Sequence, residues 1–255
     1  MTHALRLPFD AVAYLDWEAT QPEKHEYLAG EVFAMVGARR EHVVVAGNLA
    51  AAFKQRLRGG PCQAYISGMK LRVEKVDAFF YPDVTVSGDA RDHAAGQFLS
   101  YPTLVAEVLS DFTAAFDRGG KFAAYRSLES LKEYVIVDIP ARRVECFRRT
   151  QENDWLLHEY LGDDTCHFPC LGVDVPMAEI FENAEPLRRK ASRGHDDRRG
   201  IGDAGLVRRP QPGVAVVLVF IVPAGPRPAL PPACPLVPIG RGAVRRHSLR
   251  RHGGL

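Results

Sequence analysis

Apolar positions recur along this chain at two periods, and the change from one to the other marks out its elements. Val43, Val44, Ala46, Gly47, Leu49, Ala50, Phe53 and Leu57 fall at helical spacing between Arg40 and Arg58, and Gly59-Gly60-Pro61 ends the pattern. The longest helix is therefore predicted there. A shorter amphipathic helix is expected over 7–18, with Phe9, Val12, Leu15 and Trp17 as its apolar positions and Asp10 placed to cap it. Residues 25–35 predict two short strands around a turn at Ala29-Gly30. Strands are also expected over 62–67 and 69–73, parted by Gly68, with 77–81 as a turn and 87–97 as a polar loop.

Three runs are apolar with almost no alternation: Val84-Thr85-Val86, Leu104 to Leu109, and Glu133 to Asp138. Their β-branched and aliphatic residues are the texture of strands buried in a sheet. A helix over about 113–126 separates the second run from the third. After Pro140, residues 143–148 and 155–160 read as a meander turning at Glu152-Asn153-Asp154, and 175–181 as a short closing helix.

Composition changes this picture at one place. The 46 % hydrophobic and 25 % charged content of the 255 residues is ordinary for a soluble globular protein. Residues 1–187, however, carry 19 Lys and Arg against 28 Asp and Glu, while 188–255 carry 14 against 3. An acidic body near −9 is thus followed by a basic tail near +11. The tail holds 9 of the 18 prolines and 10 of the 22 glycines, with Phe220 as its one aromatic residue. Such a composition buries too little surface to offset its ordering entropy, so 188–255 is expected to be disordered or a non-native extension, and 1–187 the folded domain. A basic arm binding nucleic acid is the weaker alternative.

Five scattered cysteines (Cys62, Cys146, Cys166, Cys170, Cys234) and no apolar leader predict a reducing, cytoplasmic setting. Cys166, His167 and Cys170 lack a second ligand pair at zinc-finger spacing and read as residues in or beside a late strand. The longest apolar run, Val214 to Val222, is too short to span a bilayer, so no membrane association is expected.

The chemistry lies in the buried runs. Asp83 opens the first and Glu107 sits inside the second. A carboxylate in such a strand is costly unless something cationic meets it, and Lys121 follows on the predicted helix. Two carboxylates pointing to one face, with the Val108 carbonyl, would suit a hard divalent cation such as Mg²⁺ or Mn²⁺. Lys121 would add an ammonium for the water or phosphate and is expected to keep both acids ionised. Glu26 and Glu31 flank the early turn, and either would supply a further acid or remain a solvated charge. His42, in the first turn of the long helix, reads as a surface or capping residue able to reach a phosphate. On the plainer reading Asp83 ends a strand beside Pro82, and Glu107 and Lys121 form a structural ion pair.

Tyr81-Pro82-Asp83-Val84-Thr85-Val86, Pro102 to Ser110, then Thr113, Asp117, Lys121, Tyr125 and Glu133 to Asp138 resemble the Uma2 family of restriction-endonuclease-like proteins. Glu26 to Glu31 and His42 are similar to its opening pattern, and the likeness covers about residues 7–185. The resemblance implies a PD-(D/E)XK nuclease core, an α/β fold with a mixed sheet flanked by helices, and Asp83 and Glu107 as metal ligands. Leu109 stands where the superfamily's usual lysine would be, and the family's displaced lysine corresponds to Lys121. The turn Ser110-Asp111-Phe112-Thr113 departs from the commoner Ser-Pro-Ser-Thr form.

These readings point to a Mg²⁺-dependent DNA endonuclease, acting alone or as a homodimer. Arg39, Arg40, Lys54, Arg56, Arg58 and Lys70 are the candidates for phosphate contact. The alternatives are a non-catalytic nuclease-fold module binding nucleic acid or protein, and a metal-dependent enzyme on another phosphate ester. Neither a Gly-rich phosphate loop nor a nucleophile elbow is present.

Overall fold

The computed structural model describes residues 5–6, 10–35, 37–111 and 113–184. The tail expected to be disordered or non-native, 188–255, lies outside them, as does the predicted helix start at 7–9. Among the described residues no helix is long and apolar enough to cross a membrane.

The chain opens with β1 (Leu5–Arg6) and α1 (Ala11–Glu18), whose N-cap is Asp10: its side chain accepts from the backbone N–H of Val12 at 3.1 Å and of Ala13 at 3.0 Å. The buried face of α1 differs from the expected one. Val12 is exposed, whereas Tyr14 and Glu18 are buried. Glu18 tolerates this because it accepts from the His25 N–H at 2.9 Å and the Tyr81 hydroxyl at 2.8 Å. The hairpin β2 (His25–Leu28) and β3 (Glu31–Ala34) turns through Ala29 and Gly30, both at positive φ (48° and 87°).

After α2 (Arg40–Arg56) come β4 (Gln63–Ile66), β5 (Lys70–Val73), β6 (Ala78–Phe80), β7 (Val84–Ser87), α3 (Ala90–His93), β8 (Phe98–Leu99) and β9 (Leu104–Val108). Residues 78–80 are therefore a strand rather than part of a turn. They are wholly buried, pair with both β2 and β5, and show no alternation because they sit inside a sheet. The expected polar loop 87–97 folds around buried Asp92, which accepts from Ser87 Oγ (2.6 Å) and the Ser100 N–H (2.8 Å).

A helical segment then runs through α4 (Ala114–Phe116), a π-helical turn (Asp117–Lys121) and α5 (Phe122–Tyr125). It is followed by β10 (Glu133–Asp138), the meander β11 (Arg143–Arg149) and β12 (Trp155–Leu161), the hairpin β13 (Thr165–Phe168) and β14 (Val173–Pro176), and α6 (Met177–Ile180). The closing helix predicted over 175–181 is thus a strand end plus one helical turn.

One six-stranded sheet has the order β1-β3-β2-β6-β5-β8, and the other β12-β11-β10-β9-β7-β4. The second is mixed, since β9 and β10 run parallel while its other neighbours are antiparallel. Its two faces explain the lack of alternation in β9. Leu104, Ala106 and Val108 pack with Val45, Leu49 and Phe53 of α2. Val105 packs on the other side with Leu71 and Phe80 of the first sheet and Tyr125 of α5. Glu107 points to that second side, between two layers, with Ala106 and Val108 turned to the first.

Candidate active site

Tyr81-Pro82-Asp83 carries the chain from one sheet to the other. Extending the pairing of Val84 with Ala106 by one step places Asp83 opposite Glu107. Cross-strand partners share a face, so the two carboxylates come together where the chain crosses between the sheets. The main chain fixes them: the Val108 N–H donates to Asp83 Oδ2 at 2.8 Å, and the Asp83 N–H lies 3.4 Å from Glu107 Oε2.

Lys121 enters from the π-helical turn. Its ammonium lies 2.9 Å from Glu26 Oε1, 3.3 Å from Glu107 Oε1 and 3.5 Å from Asp117 Oδ1. Each neighbour is held in turn. Glu26 Oε1 accepts from the Tyr81 N–H at 3.1 Å, Glu107 Oε1 from the Tyr125 hydroxyl at 2.9 Å, and the Asp117 carbonyl from the Tyr134 hydroxyl at 2.9 Å. His42 reaches across from α2, with Nε2 3.2 Å from Asp83 Oδ2.

The structure therefore brings Asp83, Glu107, Lys121 and Glu26 together. Of the two early acids, Glu26 is the one that meets Lys121; Glu31 lies at the turn end of the hairpin, opposite Leu28 and Arg6. Asp117, Tyr125 and His42 join the cluster, although the first two were expected only as part of the resemblance and the third as a surface or capping residue able to reach a phosphate. The signal for the first two was present as the spacing Asp117, Lys121, Tyr125, which puts all three on one side of a helical segment.

The electrostatics correct one expectation. Burial raises the Glu107 carboxyl well above its ordinary range; Lys121 pulls it down, but Asp117, Asp83 and Glu26 push it further up. Lys121 acts on Glu107 in the expected direction, but burial, with the neighbouring carboxylates behind it, outweighs that pull. For Lys121 burial acts to lower the pKa, yet Glu107, Glu26 and Asp117 outweigh burial and raise it well above the usual lysine value. Asp117 is raised by burial against the pull of Lys121. For His42, burial disfavours the charged form, but its hydrogen bond to Asp83 and the Asp83 charge prevail.

The donor set fits a hard divalent cation. The carboxylates Glu26, Asp83, Glu107 and Asp117 outnumber the single lysine among them, and the buried Asp117 Oδ1 has no hydrogen-bond partner. Among the described residues no three His, Cys, Asp or Glu side chains form a ready metal cage. A cation here would keep part of its shell as water and substrate oxygen, which is the habit of Mg²⁺.

Of the residues expected to meet phosphate, Arg39 pairs with Asp111 (2.8 Å) and Arg56 pairs with both oxygens of Glu179 (2.8 and 2.6 Å). Arg40 donates to the Asn183 carbonyl at 3.1 Å. Lys70 instead lies over the Tyr81 ring.

A family model described as "Uma2: Putative restriction endonuclease" matches residues 11–178. The uncharacterized protein slr1290 of Synechocystis sp. is 34 % identical over 184 residues, covering 71 % of this chain and 97 % of that protein. A second Synechocystis protein, sll1609, is 31 % identical over 156 residues, covering 60 % of this chain and 88 % of its own length. In fold, the chain is similar to the crystal structure of "a putative nuclease belonging to DUF820" from Anabaena variabilis. The TM-score is 0.57 at 14 % identity, over 70 % of this chain and 100 % of that one.

Proposed function

The chain belongs to the Uma2 family of restriction-endonuclease-like nucleases, and from that premise we propose that it hydrolyses phosphodiester bonds of DNA. In this reading Asp83 and Glu107, with the Val108 carbonyl, hold a Mg²⁺ or Mn²⁺ ion, and Lys121 is a fixed cation beside them. The observation that carries the reading is the pair of opposed strand carboxylates with the Lys121 ammonium 3.3 Å from one of them.

Such an ion, when bound, neutralises phosphate charge and lowers the pKa of a water. The remaining work falls to side chains. Lys121 keeps its proton because three carboxylates surround it, so it acts as a positive charge that orients the water or a phosphate oxygen, not as a base. Glu26 and Asp117 hold that ammonium in place. Tyr125 occupies Oε1 of Glu107 and leaves Oε2 turned toward Asp83. His42 restrains Asp83 through Oδ2.

The test is nicking of supercoiled plasmid by the full chain in Mg²⁺ or Mn²⁺, with divalent-ion binding followed by calorimetry. Asp83→Asn and Glu107→Gln are expected to lower nicking by about 10²-fold or more and to abolish ion binding. DNA binding without cleavage or ion binding would favour the non-catalytic module. Nicking unchanged in both variants would mean the site is misplaced.

A further inference from the structure

We propose that Lys24 and Lys70 form a phosphate-binding pair for nucleic acid, seated on the ring of Tyr81, that holds the strand next to the Asp83–Glu107 position. This rests on the nuclease reading above and adds the contact that places its substrate.

The pair is assembled by the first sheet. Extending the pairing of Leu71 with Phe80 by one step sets Lys70 beside Tyr81. Lys24 immediately precedes β2, and its carbonyl accepts from the Met35 N–H at 2.9 Å. Both ammonium groups lie 5.5 Å from the centroid of the same Tyr81 ring, within the range of a cation–π contact. Lys24 Nζ also donates to the Ser67 carbonyl at 3.0 Å. Tyr81 is fixed at two points, its hydroxyl donating to Glu18 (2.8 Å) and its backbone N–H to Glu26 (3.1 Å).

Two like charges gathered on one ring repel each other. Each could have been paired with an acid, since 1–187 holds nine more acids than bases. Arg39, Arg56 and Arg72 are paired in that way. Among the described residues neither Lys24 nor Lys70 has a carboxylate within ion-pair distance. Two ammonium groups against one ring, neither with a carboxylate at ion-pair distance, are an arrangement that an anion completes, and lysine serves phosphate as a point charge.

Position identifies the anion. Tyr81 is two residues from Asp83, about 7 Å of extended backbone, so a nucleic-acid strand held over the ring continues toward the carboxylates. Lys24 stands the same two residues from Glu26, which meets Lys121. A phosphate on the lysine pair therefore sets the next one toward Asp83 and Glu107.

The experiment is binding of the full chain to a fluorescein-labelled duplex by anisotropy, in EDTA, across a salt series. Each phosphate contact contributes about 0.9 to the slope of log K against log salt on duplex DNA. Replacing Lys24→Ala and Lys70→Ala together is expected to lower the slope by about 0.9, the share of one phosphate, and Lys24→Arg with Lys70→Arg to restore it. A slope unchanged in the alanine pair overturns the proposal while leaving the nuclease reading intact. An equal loss in the arginine pair marks a structural role and also overturns it. No binding of the wild-type chain even at low salt overturns the nucleic-acid reading, and the lysine pair with it.

Discussion

Glu107 is the residue on which the site's electrostatics turn. Its raised carboxyl means that the folded state holds the proton more tightly than the unfolded chain, whose ordinary value is near 4.5. The stability this contributes is present below that value and is lost as pH rises through the folded pKa. Glu107→Gln removes the titration while keeping the shape. In EDTA the variant is expected to match the wild type near pH 4 and to exceed its stability at pH 8, measured by urea unfolding at both pH values. A variant less stable at pH 8 would mean that the Lys121 contact outweighs the cost of burying the charge. Lys121 carries the opposite expectation. Its removal leaves buried carboxylates without their cation, at a cost of about 3–5 kcal/mol, so lost activity in a Lys121 variant must be read beside its melting curve.

At the scale of elements, the π-helical turn between α4 and α5 brings Lys121 and Asp117 inward. Its two glycines are not equivalent. A Cβ on Gly120 would lie 2.4 Å from the Phe116 ring, whereas one on Gly119 would meet nothing within 4 Å. Phe116 packs edge-on against Phe80, whose ring lies 5.7 Å from the Lys121 ammonium. Gly120→Ala is expected to displace Phe116 and cost about 1 kcal/mol, with a lowered melting temperature. Gly119→Ala is expected to be neutral or stabilising by up to about 1 kcal/mol through helix propensity. Equal effects at the two positions would show that the Phe116 contact does not matter.

Across the whole molecule the acidic body and the site make opposite demands. A net charge near −9 over 1–187 repels nucleic acid, so binding must come from local groups such as Lys24 and Lys70. The same excess of acid favours a divalent cation at the site. A ligand bound only by the folded state stabilises it by mass action, about 2.7 kcal/mol at a hundredfold excess over its Kd. Mn²⁺ or Mg²⁺ is therefore expected to raise the melting temperature of the full chain, and Asp83→Asn to abolish the shift. A wild-type melt insensitive to either ion would remove the metal from the proposal.

Much of the framework was legible in the sequence because its causes are local. The unbroken apolar runs mark β7, β9 and β10 as strands covered on both faces, Asp10 caps α1 through bonds to residues two and three positions on, and Ala29-Gly30 turns a hairpin. Asp83, Glu107 and Lys121 stood out because charge in or beside buried runs needs a reason. Tertiary structure alone decided the rest. It selected Glu26 over Glu31 to meet Lys121, made a central strand of 78–80 where a turn had been expected, and set Lys24 and Lys70 on one ring. It also left Glu107 with a raised pKa beside a lysine expected to ionise it. Backbone conformation answers to a few neighbours along the chain, whereas a titration or an ion pair is a sum over groups that only folding brings within a few ångströms.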